Sequence, residues 1–149
     1  MQALLQHPGQ QRRLQEDPSG IPVAVEEMLR WVTPIQNMAR TLTRDTELHG
    51  QRLREGDKLL LLYPSANRDE EVFPAADRFD ASRTPNDHLA FGHGTHFCLG
   101  ASLARLELRV MFEELLRRMP GLALASDAPP PRRPSNFITG LASLPVQIP

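Results

Sequence analysis

A single cysteine, enclosed by glycines and followed at once by a long apolar-periodic stretch, constrains this chain more than any other feature. The segment reads Phe91-Gly92-His93-Gly94-Thr95-His96-Phe97-Cys98-Leu99-Gly100 and runs directly into residues 99–119, the strongest helical pattern in the sequence. Cys98 therefore stands at a helix N-terminus, where unsatisfied N–H groups and the helix dipole favour a negatively charged sulfur. The glycines at 92, 94 and 100 permit tight turns and the close approach of a flat molecule. His96 offers a polar donor two residues before the sulfur, and Phe91 an apolar face. Leu99, Leu103, Leu106 and Val110 form one stripe on the helix, and Ala104, Leu108, Met111 and Leu115 a second. Two stripes predict a helix buried on much of its circumference.

Residue chemistry alone leaves Cys98 as a buried free thiol, a nucleophile or a ligand. Zinc is disfavoured: there is no second cysteine, and of five histidines only His93 and His96 have ligand-pair spacing. The glycine-rich entry explains no oxyanion chemistry of the kind a thiol protease needs. A lone cysteine also excludes an internal disulfide framework and fits a reducing compartment.

The 149 residues suit one domain, 1–149, and a hydrophobic content of 40% permits a real core. With 17 basic and 18 acidic residues the net charge is -1, which favours neither nucleic acid nor an anionic membrane as partner. Lys58 is the only lysine, so the basic set is arginine, the better partner for carboxylates. The N-terminal apolar run breaks at Pro8, too early for a secretory signal. No segment approaches the ~20 apolar residues needed to span a bilayer. A soluble, cytoplasmic protein is expected.

Residues 1–14 read as a short helix cut by Pro8 and Gly9, and Asp17-Pro18-Ser19-Gly20 as a turn. Pro22 suits the first turn of a helix carrying Val25, Met28, Leu29 and Val32 at helical spacing, which Pro34 ends. Residues 39–63 alternate between β-branched or apolar and polar residues, with turn signals at His49-Gly50 and Glu55-Gly56-Asp57. They are expected to form a small antiparallel sheet of hairpins, closed by Pro64. Residues 65–98 show little periodicity, and a stretch this long inside a compact domain is usually functional. Residues 128–134 are expected as an extended proline-rich linker and 137–148 as a final hairpin. The expected class is mainly α with a small antiparallel β-sheet (α+β).

Glu27 and Arg30 lie three apart and share one face of the helix before Pro34. Such a pair at a surface contributes little. About seventy residues before the cysteine loop, however, it acquires a context.

The pattern F-G-x-G-x-H-x-C-x-G resembles the heme-binding loop of the cytochrome P450 family at every defined position, and Glu27-x-x-Arg30 resembles that family's E-x-x-R helix. The resemblance implies the C-terminal part of the P450 fold, with the N-terminal part absent. The cofactor implied is heme b (iron-protoporphyrin IX), with Cys98 as the metal ligand, pushing electron density toward bound oxygen to favour O–O cleavage. His96 is implied to hydrogen-bond a heme propionate and Arg40 to pair with one bidentately. Phe91, Gly92 and Gly100 are implied to shape the cofactor's surroundings. Arg83, in Arg78-Phe79-Asp80-Ala81-Ser82-Arg83, is implied to join Glu27 and Arg30 in a buried structural lock. Ile35, Gln36, Asn37 and Met38, with Asn136, Phe137 and Ile138, are implied to face the substrate. No match to the family's distal acid and threonine is found, so no catalytic residue is assigned.

The implied activity is insertion of one oxygen atom into a C–H bond of an apolar small molecule, a haem-thiolate monooxygenase reaction. The implied electron donor is a ferredoxin or flavoprotein fed by NAD(P)H. The forms F-D-x-x-R, H-L-A-F-G and C-L-G-A-x-L-A-R resemble soluble bacterial members, and W-V-T-P and N-F-I-T-G-L resemble enzymes acting on sterols and branched lipids. Arg105, Arg109, Arg117 and Arg118 are expected to offer a basic surface to an acidic redox partner. Family members are normally well over twice this length, so a fragmentary gene, a relic and a split protein compete as explanations, the first favoured. The alternatives to an enzyme are a non-catalytic heme-binding remnant and a structural module without cofactor. With one layer of the fold missing, the chain alone is expected to be poorly soluble or partly molten.

Overall fold

The computed structural model describes residues 1–148. Two short helices open the chain, α1 (Gln2–Leu5) and α2 (Pro8–Glu16). The break falls at Gln6 and His7, and Pro8 begins α2 instead of ending a helix, because its missing N–H is harmless in the first turn. Three glutamines of α2 tie it to later segments. Gln10 donates to the Phe79 carbonyl (2.8 Å) and accepts from the Ala81 N–H (2.6 Å). Gln11 donates to the Leu122 carbonyl and Gln15 to that of Pro120.

The central helix, α3 (Ile21–Val32), follows a 3-10 turn at Pro18–Gly20. Ile21, Ala24, Val25, Met28 and Leu29 fall at helical spacing and are all buried, whereas Val32 is exposed. Together with Leu4, Leu14, Phe79, Phe112 and Leu116 they make one core. Thr33 ends the helix with φ 44°, a left-handed conformation unusual for threonine. Its hydroxyl donates to the Arg30 carbonyl (2.7 Å) and accepts from the buried Asn67 amide (2.9 Å), which holds it there.

Two nested antiparallel pairs follow, not one continuous sheet. β1 (Asn37–Thr41) pairs with β4 (Lys58–Leu62) in the register Asn37↔Leu62 to Thr41↔Lys58. Between them β2 (Thr46–Leu48) pairs with β3 (Gln51–Leu53). Pro64 does not close this region: it sits in the first turn of the short helix α4 (Tyr63–Ala66). Residues 67–93 are irregular, as expected, and a 3-10 turn at Gly94–His96 precedes the last helix.

That helix, α5 (Ala101–Arg118), starts two residues later than the periodicity suggests, with Gly100 as its N-cap. Its burial corrects the two-stripe expectation. Ala101, Phe112 and Leu116 are buried, and Leu108 is partly buried against the core. Leu99, Leu103, Leu106 and Val110 are exposed, and so is Met111. The reason is geometric: α5 meets α3 and α2 on one side only, and nothing else in the described residues covers the other.

The expected final hairpin at 137–148 is also corrected. β6 (Val146–Gln147) pairs with β5 (Ala123–Leu124), and Arg132 bridges Leu141. The proline-rich segment is thus one arm of a longer hairpin, whose tip turns near Ser135–Phe137. Prolines lack the N–H needed for a regular ladder, so the pairing is intermittent. The tip reaches the end of α3: Ile138 bridges Ile35, Gln36 N–H donates to the Phe137 carbonyl (2.8 Å), and Thr139 N–H donates to the Pro34 carbonyl (2.8 Å).

Candidate cofactor site

The cysteine loop is a compact turn pinned across its base. Cys98 N–H donates to the Phe91 carbonyl (2.9 Å), and inside that closure Phe97 N–H donates to the Gly94 carbonyl (3.0 Å). Gly92 (φ 74°) and Gly94 (φ 69°) take left-handed conformations that other residues adopt at a cost, so these two positions need glycine. Gly100 is different. Its φ is -84°, and a Cβ there would lie 3.9 Å from the Cys98 sulfur, an ordinary contact.

Beside the loop lies a cavity of about 490 Å³ lined by Leu29, Pro34, Ile35, Met38, Arg40, Tyr63, Ala90, Phe91, Gly92, His96 and Cys98. Its size falls in the range of cofactor pockets, and its wall is apolar with a few convergent polar groups. The end of α3 supplies Leu29, strand β1 supplies Met38 and Arg40, and the loop supplies Phe91, Gly92, His96 and Cys98. Of the residues singled out in the sequence, Arg40, Ile35, Met38, Phe91, Gly92, His96 and Cys98 share this cavity. Gln36, Asn37, Gly100, Phe137 and Ile138 do not line it. Gln36 and Asn37 instead turn their amides onto the hairpin tip, donating to the Ser135 and Asn136 carbonyls (3.2 and 2.7 Å). Leu29, Pro34, Tyr63 and Ala90 are wall residues that sequence reasoning missed.

A largely apolar lining that includes a thiol, a guanidinium and an imidazole is a donor set that fits a heme. The sulfur suits the iron, and the two cationic or donor groups suit carboxylates. Arg40 is available for such a role: among the described residues its guanidinium bonds only the Ala39 carbonyl (3.0 Å). The His96 ring has no hydrogen-bond partner among the described residues.

Beneath the site, Glu27 and Arg30 are fully buried. Arg30 donates to both Glu27 oxygens (2.7 and 2.8 Å), and Arg83 Nε adds a third bond to the carboxylate (3.2 Å). The Asp80 N–H (2.9 Å) and the Asn86 amide (3.1 Å) complete its shell. The spare Arg30 N–H groups go to the carbonyls of Asn67, Ala76 and Arg78. Fully satisfied in this way, the buried charges are tolerable. Asn67 extends the lock to the loop, since its side-chain oxygen accepts the Leu89 N–H at 2.7 Å. Asn67, Asn86 and the Asp80 backbone have no spacing signal in the sequence; they join the network only through tertiary contact.

A second carboxylate on α3 grips the helix that follows the cysteine. Arg105 donates to both oxygens of Glu26 (2.8 Å each) and lies 4.7 Å from the centre of the Phe91 ring. His88 Nε2 also meets Glu26 (3.1 Å), while its Nδ1 accepts the Ala90 N–H (3.2 Å). An accepting Nδ1 leaves the ring proton on Nε2, facing the carboxylate. Burial pushes the His88 pKa down, more than the adjacent Glu26 pushes it up. Burial would raise Glu26, but hydrogen bonding and attraction from Arg105, with His88, outweigh it and the net shift is downward.

The arginines expected to face a partner are already matched. Arg105 holds Glu26, Arg109 approaches Glu113 (3.6 Å), and Arg117 and Arg118 both pair with Glu114. The helix surface is therefore mixed in charge and not a basic patch. No helix among the described residues is long and apolar enough to cross a membrane.

Comparison with known proteins agrees with this geometry. Residues 21–148 match the family model described as Cytochrome P450. A steroid C26-monooxygenase of Mycolicibacterium smegmatis is 57% identical over 143 residues, which cover 96% of this chain and 36% of that protein. A methyl-branched lipid omega-hydroxylase of Mycobacterium bovis is 50% identical over 146 residues, covering 97% of this chain and 34% of that protein. The solved structure of P450BioI in complex with an acyl carrier protein carrying hexadec-9Z-enoic acid superposes with a TM-score of 0.94 at 46% identity, covering 98% of this chain and 38% of that one. The chain thus spans little more than a third of the relatives' length, and over that third its sequence and fold match one family. This chain belongs to the cytochrome P450 family.

Proposed function

We propose that this chain carries the thiolate side of a heme b site belonging to a monooxygenase that hydroxylates an apolar sterol or lipid. The observation that carries the reading is the convergence of Cys98, Arg40 and His96 on one apolar cavity, the last two without partners suited to them. When bound, the heme supplies oxygen activation. Everything else is the work of the chain's own residues. Cys98 would hold the iron through its sulfur, from the loop that leads into α5. Arg40 and His96 hold the cofactor's carboxylates. Phe91, stacked under Arg105, supplies apolar wall beside the exposed Cys98, and the Glu27–Arg30–Arg83 lock holds the loop in place.

The substrate class rests on the names of the two relatives, one a steroid monooxygenase and the other a methyl-branched lipid hydroxylase. Ile35 and Met38 supply apolar wall, which suits such a molecule. Electrons from a ferredoxin or flavoprotein complete the reading, and the lone thiol suits a cytoplasmic setting. The exposed stripe from Leu99 to Val110 favours a second reading, in which the chain binds heme without turning over by itself.

The test is a hemin titration followed by reduction and addition of carbon monoxide, with Cys98→Ala alongside. A strongly red-shifted Soret band, lost in the variant, is expected. A histidine-type band, or uptake indifferent to Cys98, would overturn the assignment.

A further inference from the structure

We infer that Tyr63 is a third donor to the carboxylates of the bound cofactor, acting beside Arg40 and His96. This rests on the heme reading of the cavity and adds to it a residue carried by no sequence motif.

The strand register places it. Met38 pairs with Leu61 and Arg40 with Leu59 across β1 and β4. Residues directly opposite share a sheet face, and side chains alternate with a period of two. Positions 59, 61 and 63 therefore lie on the face of Met38 and Arg40, the face that lines the cavity. Tyr63 continues that row by one position, its N–H donating to the Gln36 carbonyl (3.1 Å) as the ladder ends. It lines the same cavity as Arg40 and His96.

The phenol end is close to the loop. A Cβ built on Gly92 would lie 3.7 Å from the Tyr63 hydroxyl and 3.7 Å from the His96 carbonyl oxygen, so the hydroxyl sits within reach of the His96 turn. Among the described residues the hydroxyl has no hydrogen-bond partner. Tyr63 is half-buried in the cavity wall, where a phenol normally takes a hydrogen-bond partner from solvent or ligand. Beside a guanidinium without a carboxylate partner and an imidazole without a hydrogen-bond partner among the described residues, the matching ligand group is a carboxylate, which accepts from all three. The backbone at this position is fixed as well. The Tyr63 carbonyl accepts the Asn67 N–H at 2.9 Å, and Asn67 in turn holds Leu89 at the entry to the loop.

The test compares hemin with hemin dimethyl ester, whose carboxylates are blocked, on the chain and on Tyr63→Phe. Expected is about ten-fold weaker hemin retention in the variant, the size of one hydrogen bond to a charged group, with ester binding unchanged. Equal loss for both ligands would mean that Tyr63 only supports the wall, and no loss for either would mean that the hydroxyl faces something else; both overturn the proposal. Repeating the pair in a Cys98→Ala background separates the two readings. Discrimination between hemin and ester that still depends on Tyr63 there sustains the Tyr63 contact even if the Soret band speaks against thiolate ligation.

Discussion

The Cys98 N–H and the Phe91 carbonyl meet at 2.9 Å, closing the turn that carries Gly92, Gly94 and His96. The same Phe91 presents its ring to the Arg105 guanidinium at 4.7 Å, so one residue joins the sulfur's backbone to the helix behind it. The loop is positioned from both ends, by Glu26 on α3, by Asn67 at the end of α4 and by Arg105 on α5.

The glycines of this loop are expected to behave differently. Gly92→Ala forces a side chain into φ 74° and should cost about 1–2 kcal/mol of the hemin-loaded chain's stability. Gly100→Ala, at φ -84° with ordinary clearance, should cost much less. Urea unfolding of both variants measures the difference; equal losses would contradict the conformational argument.

Glu27→Ala should be far worse than Glu26→Ala. The first strands Arg30, which is fully buried, and removes the partner of Arg83, at about 3–5 kcal/mol. The second leaves Arg105 with partial access to water. Thermal unfolding of the two hemin-loaded variants ranks them.

Asn67→Ala removes the acceptor of the Leu89 N–H and the donor to Thr33 while leaving the backbone contacts in place. Each buried group left unpaired costs about 1–3 kcal/mol. Hydrogen exchange should accelerate at the Leu89 amide well before it does in the centre of α3. Uniform acceleration would argue against a local tie.

Acid should weaken the chain in two stages. His88 has its pKa lowered from the usual 6.5 by burial, so as pH falls the unfolded chain takes up that proton first. Its contribution is complete above about pH 6.5 and is lost as pH drops from there toward the folded-state value. Glu26, which burial alone would raise, is held below its usual 4.5 by Arg105 and adds a second loss below about pH 4.5. His88→Gln should flatten the stability profile between pH 7 and 5 and leave a smaller lower step, since Arg105 still lowers Glu26 when His88 is gone.

The open stripe of Leu99, Leu103, Leu106 and Val110 should make the isolated chain associate and bind a hydrophobic dye. Leu103→Glu with Val110→Glu should reduce both without altering hemin uptake, as followed by light scattering and dye fluorescence. Unchanged scattering would place the sticky surface elsewhere.

Much of the site was legible in the chain itself because its requirements are local. A cysteine three residues before a helix, glycines where φ turns positive, and a Glu and Arg one helical turn apart are each settled within a stretch of ten residues. Periodicity likewise found α3, the strands around Arg40 and α5. It did not tell which side of α5 is buried, because apolar residues occupy most of its circumference and only the position of α3 selects Ala101, Phe112 and Leu116. It misassigned the C-terminal hairpin because β6 pairs with residues more than twenty positions earlier, a distance at which no pattern in the arm itself names its partner. Asn67, Asn86 and Tyr63 were invisible for the same reason. The sequence by itself determined where the loop lies and the family to which the chain belongs, since those depend on neighbouring residues. Which distant side chains share the cavity and which complete the carboxylate's shell was decided by the tertiary structure, because burial and hydrogen-bond satisfaction are properties of the packed chain.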